Sequence, residues 1–391
     1  MISRIRIPPF PIGYLSRNVE ICTHTTSHEF IGQLLMKKHN YSAGPCILPQ
    51  EVFEQSAQAI LDFNQSGLSI LEISHRSKDF IAVMEEARAL VLELLGLEGK
   101  GYHVLFLQGG ASMEFLRVPY NFMKVDGKAA YLETGTWAAN AIKEAQLFGE
   151  TVIVGTSKDA NFNYIPKDYA IPADANYFHC TSNNTIFGTQ MKSFPKTDIP
   201  MICDMSSDIF SRTLDFSQFA LIYAGAQKNM GPAGTTLVVI KDALLGKTGR
   251  TLPSMMDYQK QIKGESMYNT PAVFPVYASL LTLQWLKKQG GIAGIEKINA
   301  AKAALLYAEI DRNPLFEGTA AIEDRSTMNA TFLLKDAAHT EKFDALWKAA
   351  GISGLNGHRS VGGYRASMYN ALPLESVQIL VNTMQELERS I

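Results

Sequence analysis

From residue 50 onward the chain alternates between two hydrophobic periods. VFEQSAQAILDFNQ (52–65) spaces its apolar residues for a helix, and the stretch from Phe80 to Leu97 does so more strongly. HVLFLQGG (103–110) then reads as a short buried strand running into glycines, and SMEFLRVPYNFM (112–123) as a helix. AAYLETG (129–135) predicts another strand and WAANAIKEAQLFG (137–149) another helix. Further strands are expected at TVIVGT (151–156), ANYFHCTSN (175–183), PMICDMSS (200–207), FALIYAGAQ (219–227) and GTTLVVIK (234–241). Short, nearly continuous apolar runs separated by helices predict an α/β fold with a mainly parallel central sheet covered on both faces. Ligands of such sheets bind beyond the carboxyl ends of the strands.

The pattern changes near residue 290. A helical stretch, GIAGIEKINAAKAALLYAEIDR, leads to a strand at MNATFLLK, a helix at EKFDALWKAAG and a final helix at ESVQILVNTMQELERS. We therefore expect a large domain over 36–290 and a smaller C-terminal α/β domain over 291–391. Residues 1–35 show no lasting periodicity and hold Pro8, Pro9 and Pro11. They read as an upstream extension, with the folded protein beginning near Met36.

Composition narrows the possible functions. With 36 basic and 38 acidic residues and no basic run or basic–aromatic stripe, the chain is not built for nucleic acid. No run of eighteen apolar residues is present, so no membrane span is expected. Cys22, Cys46, Cys180 and Cys203 show neither CxxC pairing nor metal spacing. Reduced thiols of a cytoplasmic protein are the simplest reading.

The candidate chemistry gathers at strand ends. Lys228, in IYAGAQKNMGPAG, directly follows an apolar strand. Burial there favours the neutral amine, a nucleophile toward aldehydes. Alone, such a lysine is far more often an exposed loop residue. Asp204, ending the apolar MICD run, makes the pair informative, because a buried carboxylate needs a partner. A protonated pyridine nitrogen would be one. In FLQGGASMEF, two glycines precede Ala111 and Ser112 at a helix start, a natural phosphate site. The third glycine of a dinucleotide fingerprint is missing. Trp137 and Thr185 follow two further strand ends, where an indole could stack on a ring and a hydroxyl could bond one.

Two basic clusters bear on the substrate. SHRSK brings together His75 and Arg76; GHRSVGGYRAS brings together His358, Arg359 and Arg365. Arginine binds carboxylate and phosphate bidentately, so a cleft flanked by three arginines suits a substrate carrying both.

At these residues the sequence resembles the phosphoserine aminotransferases, within the class V aminotransferases of fold type I. The motifs that carry the likeness are NYSAGPCILP, ISHRSKDF, LQGGASMEF, TGTWAANAIKEA, the NNT of SNNTIFG, CDMSSD, IYAGAQKNMGPAG, SMYNTP and GHRSVGGYRASMYNALP. The likeness implies pyridoxal 5'-phosphate as cofactor, bound to Lys228 as a Schiff base, with Asp204 at the pyridine nitrogen. It implies Trp137 stacked on the ring, Thr185 at the ring hydroxyl, and Ala111, Ser112 and Gln227 at the phosphate. Asn269 and Thr270 are implied to reach the phosphate of a neighbouring subunit, which makes the active site a property of a homodimer. Arg76 is implied as a glutamate carboxylate contact, and His75, His358, Arg359 and Arg365 as candidates for the substrate phosphate. Where some relatives have arginine in the glycine turn, this chain reads GGAS. The implied reaction interconverts 3-phosphohydroxypyruvate plus glutamate and phosphoserine plus 2-oxoglutarate. 3-Hydroxy-2-oxo-4-phosphooxybutanoate, on the route to vitamin B6, is a second implied substrate. A class V enzyme of the alanine–glyoxylate type is the alternative.

Overall fold

The burial pattern of the central strands explains why their sequences lack alternation. FHCT of β5 (Phe178–Thr181), MICD of β6 (Met201–Asp204) and LIYAG of β7 (Leu221–Gly225) are buried at every position. Both faces of the sheet are covered, so both sets of side chains must be apolar. In the computed structural model, which describes residues 37–391, these strands lie inside a seven-stranded sheet of order β2-β8-β7-β6-β5-β3-β4. The remaining members are β2 (Tyr102–Leu107), β3 (Lys128–Glu133), β4 (Glu150–Thr156) and β8 (Thr236–Lys241). The pairings from β4 through β7 are parallel, whereas β8 is antiparallel to both its neighbours, β7 and β2. Only β8 is reversed, so the other six strands all deliver their carboxyl ends to one edge.

Successive residues on each strand feed opposite cores, as the two-residue period requires. Val104, Phe106, Cys180, Cys203, Ile222 and Val239 face one cluster with helices α1 (Gln50–Leu61), α2 (Lys78–Leu95) and α7 (Val273–Lys288). Leu105, Tyr131, Ile202, Tyr223 and Val238 face the other, with α3 (Gly110–Phe122), α4 (Thr136–Ala145) and Tyr258 of α6 (Tyr258–Lys263). Helix α2 starts where Ser77 Oγ accepts from Phe80 N at 3.3 Å, a cap that stabilises a helix by about 1 kcal/mol, and stops at left-handed Gly96.

Past residue 290, α8 (Gly291–Arg312), α9 (Thr340–Ala349) and α10 (Leu374–Arg389) pack on an antiparallel sheet of order β12-β10-β9. Its strands are β9 (Phe316–Gly318), β10 (Asn329–Leu334) and β12 (Tyr364–Ser367). Their core contains Leu306, Phe316, Phe332, Phe343 and Leu380. Tyr41 and Ile47 belong to this second core, and β1 (His39–Asn40) pairs in parallel with β11 (Ile352–Ser353). The chain therefore enters along the C-terminal part before it builds the large sheet. The expected extension over 1–35 lies outside the described residues. No helix among the described residues is long and apolar enough to cross a membrane.

Candidate active site

The common strand edge decides which of the candidate residues can meet. Strand β7 ends at Gly225 and passes into a single helical turn, α5 (Ala226–Asn229), that carries Gln227 and Lys228. Asp204 ends β6 beside it, Thr185 follows β5, and Trp137 sits in the first turn of α4 after β3. The Lys228 amine donates to Thr185 Oγ1 at 2.6 Å and lies 5.5 Å from the centre of the Trp137 ring. Burial pushes this amine down to about 8, while the Asp204 charge pulls it upward and Arg365 pushes it further down. Such an amine is free as a nucleophile at neutral pH far more often than an ordinary lysine.

Asp204 is 5% exposed. Its Oδ1 accepts from Ser206 N at 2.9 Å and Ser206 Oγ at 2.6 Å. Its Oδ2 meets no donor among the described residues. Burial raises the carboxyl above its usual range, and Lys228 and Ser206 pull it back. One oxygen is thus fixed, and the other is left for a cationic donor.

The glycine turn lies on the same edge. Gly109 (φ 111°) and Gly110 (φ 66°) are left-handed, and a Cβ at Gly109 would come within 2.5 Å of Met113 Cβ. Only glycine allows β2 to turn this sharply into α3. No side chain caps that helix, so its first N–H groups, including those of Ala111 and Ser112, remain available to an anion.

Pyridoxal phosphate fits these residues. The buried Trp137 Nε1 has no partner among the described residues, Asp204 bonds Ser206 through Oδ1, and no side chain caps the start of α3. The basic residues divide. Arg365 joins the site: its Nη1 donates to Thr185 O at 3.3 Å, and its buried Nε lacks a partner among the described residues. His358 is nearby, because Arg365 and Arg359 reinforce the effect of burial in lowering its pKa, whereas Arg359 itself is exposed. His75 and Arg76 make no hydrogen bond or ion pair with this group. Arg76 is exposed, and His75 Nε2 is buried without a partner among the described residues. Asn269 and Thr270 lie against Gln108: Asn269 Nδ2 donates to Gln108 Oε1 at 3.2 Å, and Gln108 Nε2 donates to Thr270 O at 3.2 Å.

The entering segment was not foreseen as a wall of the site. Gly44 (φ 145°) passes so close that a Cβ there would lie 3.2 Å from Lys228 Cγ. Cys46 N donates to Gln227 O at 3.1 Å, its thiol donates to Lys228 O, and Tyr369 OH holds Ala43 O at 2.7 Å. A glycine–proline pair in NYSAGPCILP was the one available signal.

The sequence pattern of the class-V aminotransferases matches residues 39–380, and the chain belongs to that family. The phosphoserine aminotransferase of Flavobacterium psychrophilum is 79% identical over 356 residues, covering 91% of this chain and all of the relative. The phosphoserine aminotransferase of Bacillus circulans subsp. alkalophilus has a solved structure that superposes with a TM-score of 0.88 at 43% identity, covering 91% of this chain and 99% of that one. The pyridoxal-phosphate-bound phosphoserine aminotransferase of Trichomonas vaginalis superposes at 0.84 with 35% identity, covering 89% of this chain and all of that one. Within class V the family is therefore that of the phosphoserine aminotransferases.

Proposed function

We propose that this protein moves the amino group of L-glutamate to 3-phosphohydroxypyruvate, giving 2-oxoglutarate and O-phospho-L-serine for serine biosynthesis. The observation that carries the substrate choice is Arg365. A guanidinium with a free buried donor stands near Lys228 and on Thr185, with His358 close enough to feel its charge. A doubly anionic phospho-acid satisfies such a cluster, whereas an uncharged side chain would leave it unpaired.

Pyridoxal phosphate supplies an aldehyde that links to amines and a ring that takes up the electron pair released with the Cα proton. The residues of this chain do the rest. Lys228 provides the amine that holds the cofactor, and when freed it is the base that moves the proton from the substrate Cα. Asp204 would keep a proton on the ring nitrogen. Trp137 would cover the ring, Thr185 would bond its hydroxyl, and the N–H groups of Ala111 and Ser112, with Gln227, would hold the phosphate. Arg365, His358 and Arg359 orient the anionic end of each substrate. Arg76 is assigned in this reading to the glutamate carboxylate and His75 to the substrate phosphate, although neither bonds the group around Lys228 among the described residues.

The working unit in this reading is a cytoplasmic homodimer. Asn269 and Thr270, held at Gln108 of their own chain, are assigned in this reading to the cofactor phosphate of a second copy. The test is an acceptor comparison. With glutamate as donor, 3-phosphohydroxypyruvate should exceed hydroxypyruvate in kcat/KM by about 10²-fold or more, the scale set by leaving buried polar groups unpaired. In Arg365→Leu this preference should largely vanish. Equal use of both acceptors by the unaltered protein would remove the proposed substrate.

A further inference from the structure

Beneath the glycine turn lies a buried charged cluster that the reaction does not use. Glu114 is 0% and Arg117 4% exposed, and both lie on α3. Arg117 Nη1 donates to Glu114 Oε1 at 2.5 Å, and Tyr258 OH donates to Glu114 Oε2 at 2.5 Å. The other guanidinium nitrogen, Nη2, donates to the carbonyl of Gln108 at 3.1 Å. Gln108 is the last residue before Gly109 and Gly110. Its side chain is held separately by Asn269 and Thr270.

A buried ion pair of this kind is a poor way to gain stability, because apolar side chains of the same volume pack there at least as well. What it provides is direction. The rigid guanidinium fork holds the Glu114 carboxylate and the Gln108 carbonyl at once, which a lysine cannot do. Both ends of the turn are then fixed: the helix side by Glu114 and Arg117, the strand side by Gln108 O. Two left-handed glycines between them would otherwise leave the turn free to reorient its N–H groups. Arg117 also cancels a negative charge that Glu114 would place one helical turn below an incoming phosphate.

We propose that Arg117, acting through the carbonyl of Gln108, is a positioning residue that sets affinity for the cofactor phosphate. The proposal rests on the reading that the helix start at Ala111 and Ser112 cradles that phosphate. Its test compares pyridoxal phosphate with pyridoxal, which has the ring and aldehyde but no phosphate. Dissociation constants for both are measured on the apoprotein by tryptophan fluorescence quenching and visible absorbance. The triple variant Glu114→Leu, Arg117→Met, Tyr258→Phe removes the cluster without stranding a buried charge. Arg117→Lys keeps the charge and loses the fork. In both, the preference for pyridoxal phosphate over pyridoxal should fall about tenfold, the scale of one lost oriented hydrogen bond, while pyridoxal affinity stays unchanged. An unchanged preference in Arg117→Lys, or equal weakening of both ligands in both variants, would overturn the proposal. If the unaltered protein binds both ligands equally, the cradle itself is wrong and the proposal falls with it.

Discussion

Replacing Lys228 with alanine should slow glutamate-dependent turnover by about 10⁴-fold while leaving the protein folded. The side chain makes one hydrogen bond, to Thr185 Oγ1, and lies over the Trp137 ring, so little packing is lost. What disappears is a nucleophile and base that burial has pushed down to about 8. The direction of that shift matters. An amine near its ordinary value would be almost wholly protonated at neutral pH and unable to accept the substrate proton. The unaltered protein should show a visible band that borohydride abolishes, and the variant should lack it. Adding a small free amine should restore part of the rate, because the missing function is a base rather than a binding surface. Turnover within tenfold of the unaltered protein would assign the proton transfer to another group.

The second large effect is expected at Asp204. Asp204→Asn keeps the shape and an acceptor for Ser206, and removes the charge proposed to pair with the ring nitrogen. The loss should be about 10²- to 10³-fold in kcat, the range for deleting one preorganised electrostatic contact in an enclosed site. A pH signature accompanies it. The Asp204 charge raises the Lys228 amine against the downward push of burial and Arg365. Removing that charge should therefore lower the pH at which the amine titrates in the apoprotein. An amine that titrates at higher pH in Asp204→Asn would contradict the arrangement of the two groups.

The sequence already carried much of this site, for a physical reason. Strands buried on both faces write themselves as short apolar runs, and Asp204 and Lys228 stand out because each interrupts or ends such a run. The glycine turn was legible because left-handed backbone requires glycine. Other features left no local mark. Helix α7, VFPVYASLLTLQWLKK, is apolar around most of its circumference and so shows no stripe. The reversed direction of β8 depends on its neighbours, not on its own GTTLVVIK. Cys180 and Cys203 pair in register on β5 and β6, with their sulfurs 3.7 Å apart, although 22 residues separate them in the chain. The wall formed by Gly44 and Cys46, and the bracing of Gln108 by Arg117, depend on contacts across the sheet edge that no spacing predicts.

The arginines show the same limit from the other side. GHRSVGGYRAS read as a single anion-binding segment, yet the structure gives its residues different places. Arg365, on β12, reaches the Thr185 carbonyl, whereas Arg359 stays exposed in the preceding loop. Strand pairing accounts for the difference: Arg365 is held opposite Thr331 of β10, and residues 357–363 form the loop that leads to it.

The most direct test of the account is the rate of amino transfer from glutamate to 3-phosphohydroxypyruvate, set against transfer from alanine to glyoxylate by the same preparation. The arginine at the lysine predicts that phosphoserine formation is far the faster. Equal rates, or faster alanine–glyoxylate transfer, would leave the family standing and contradict the substrate assigned to this site.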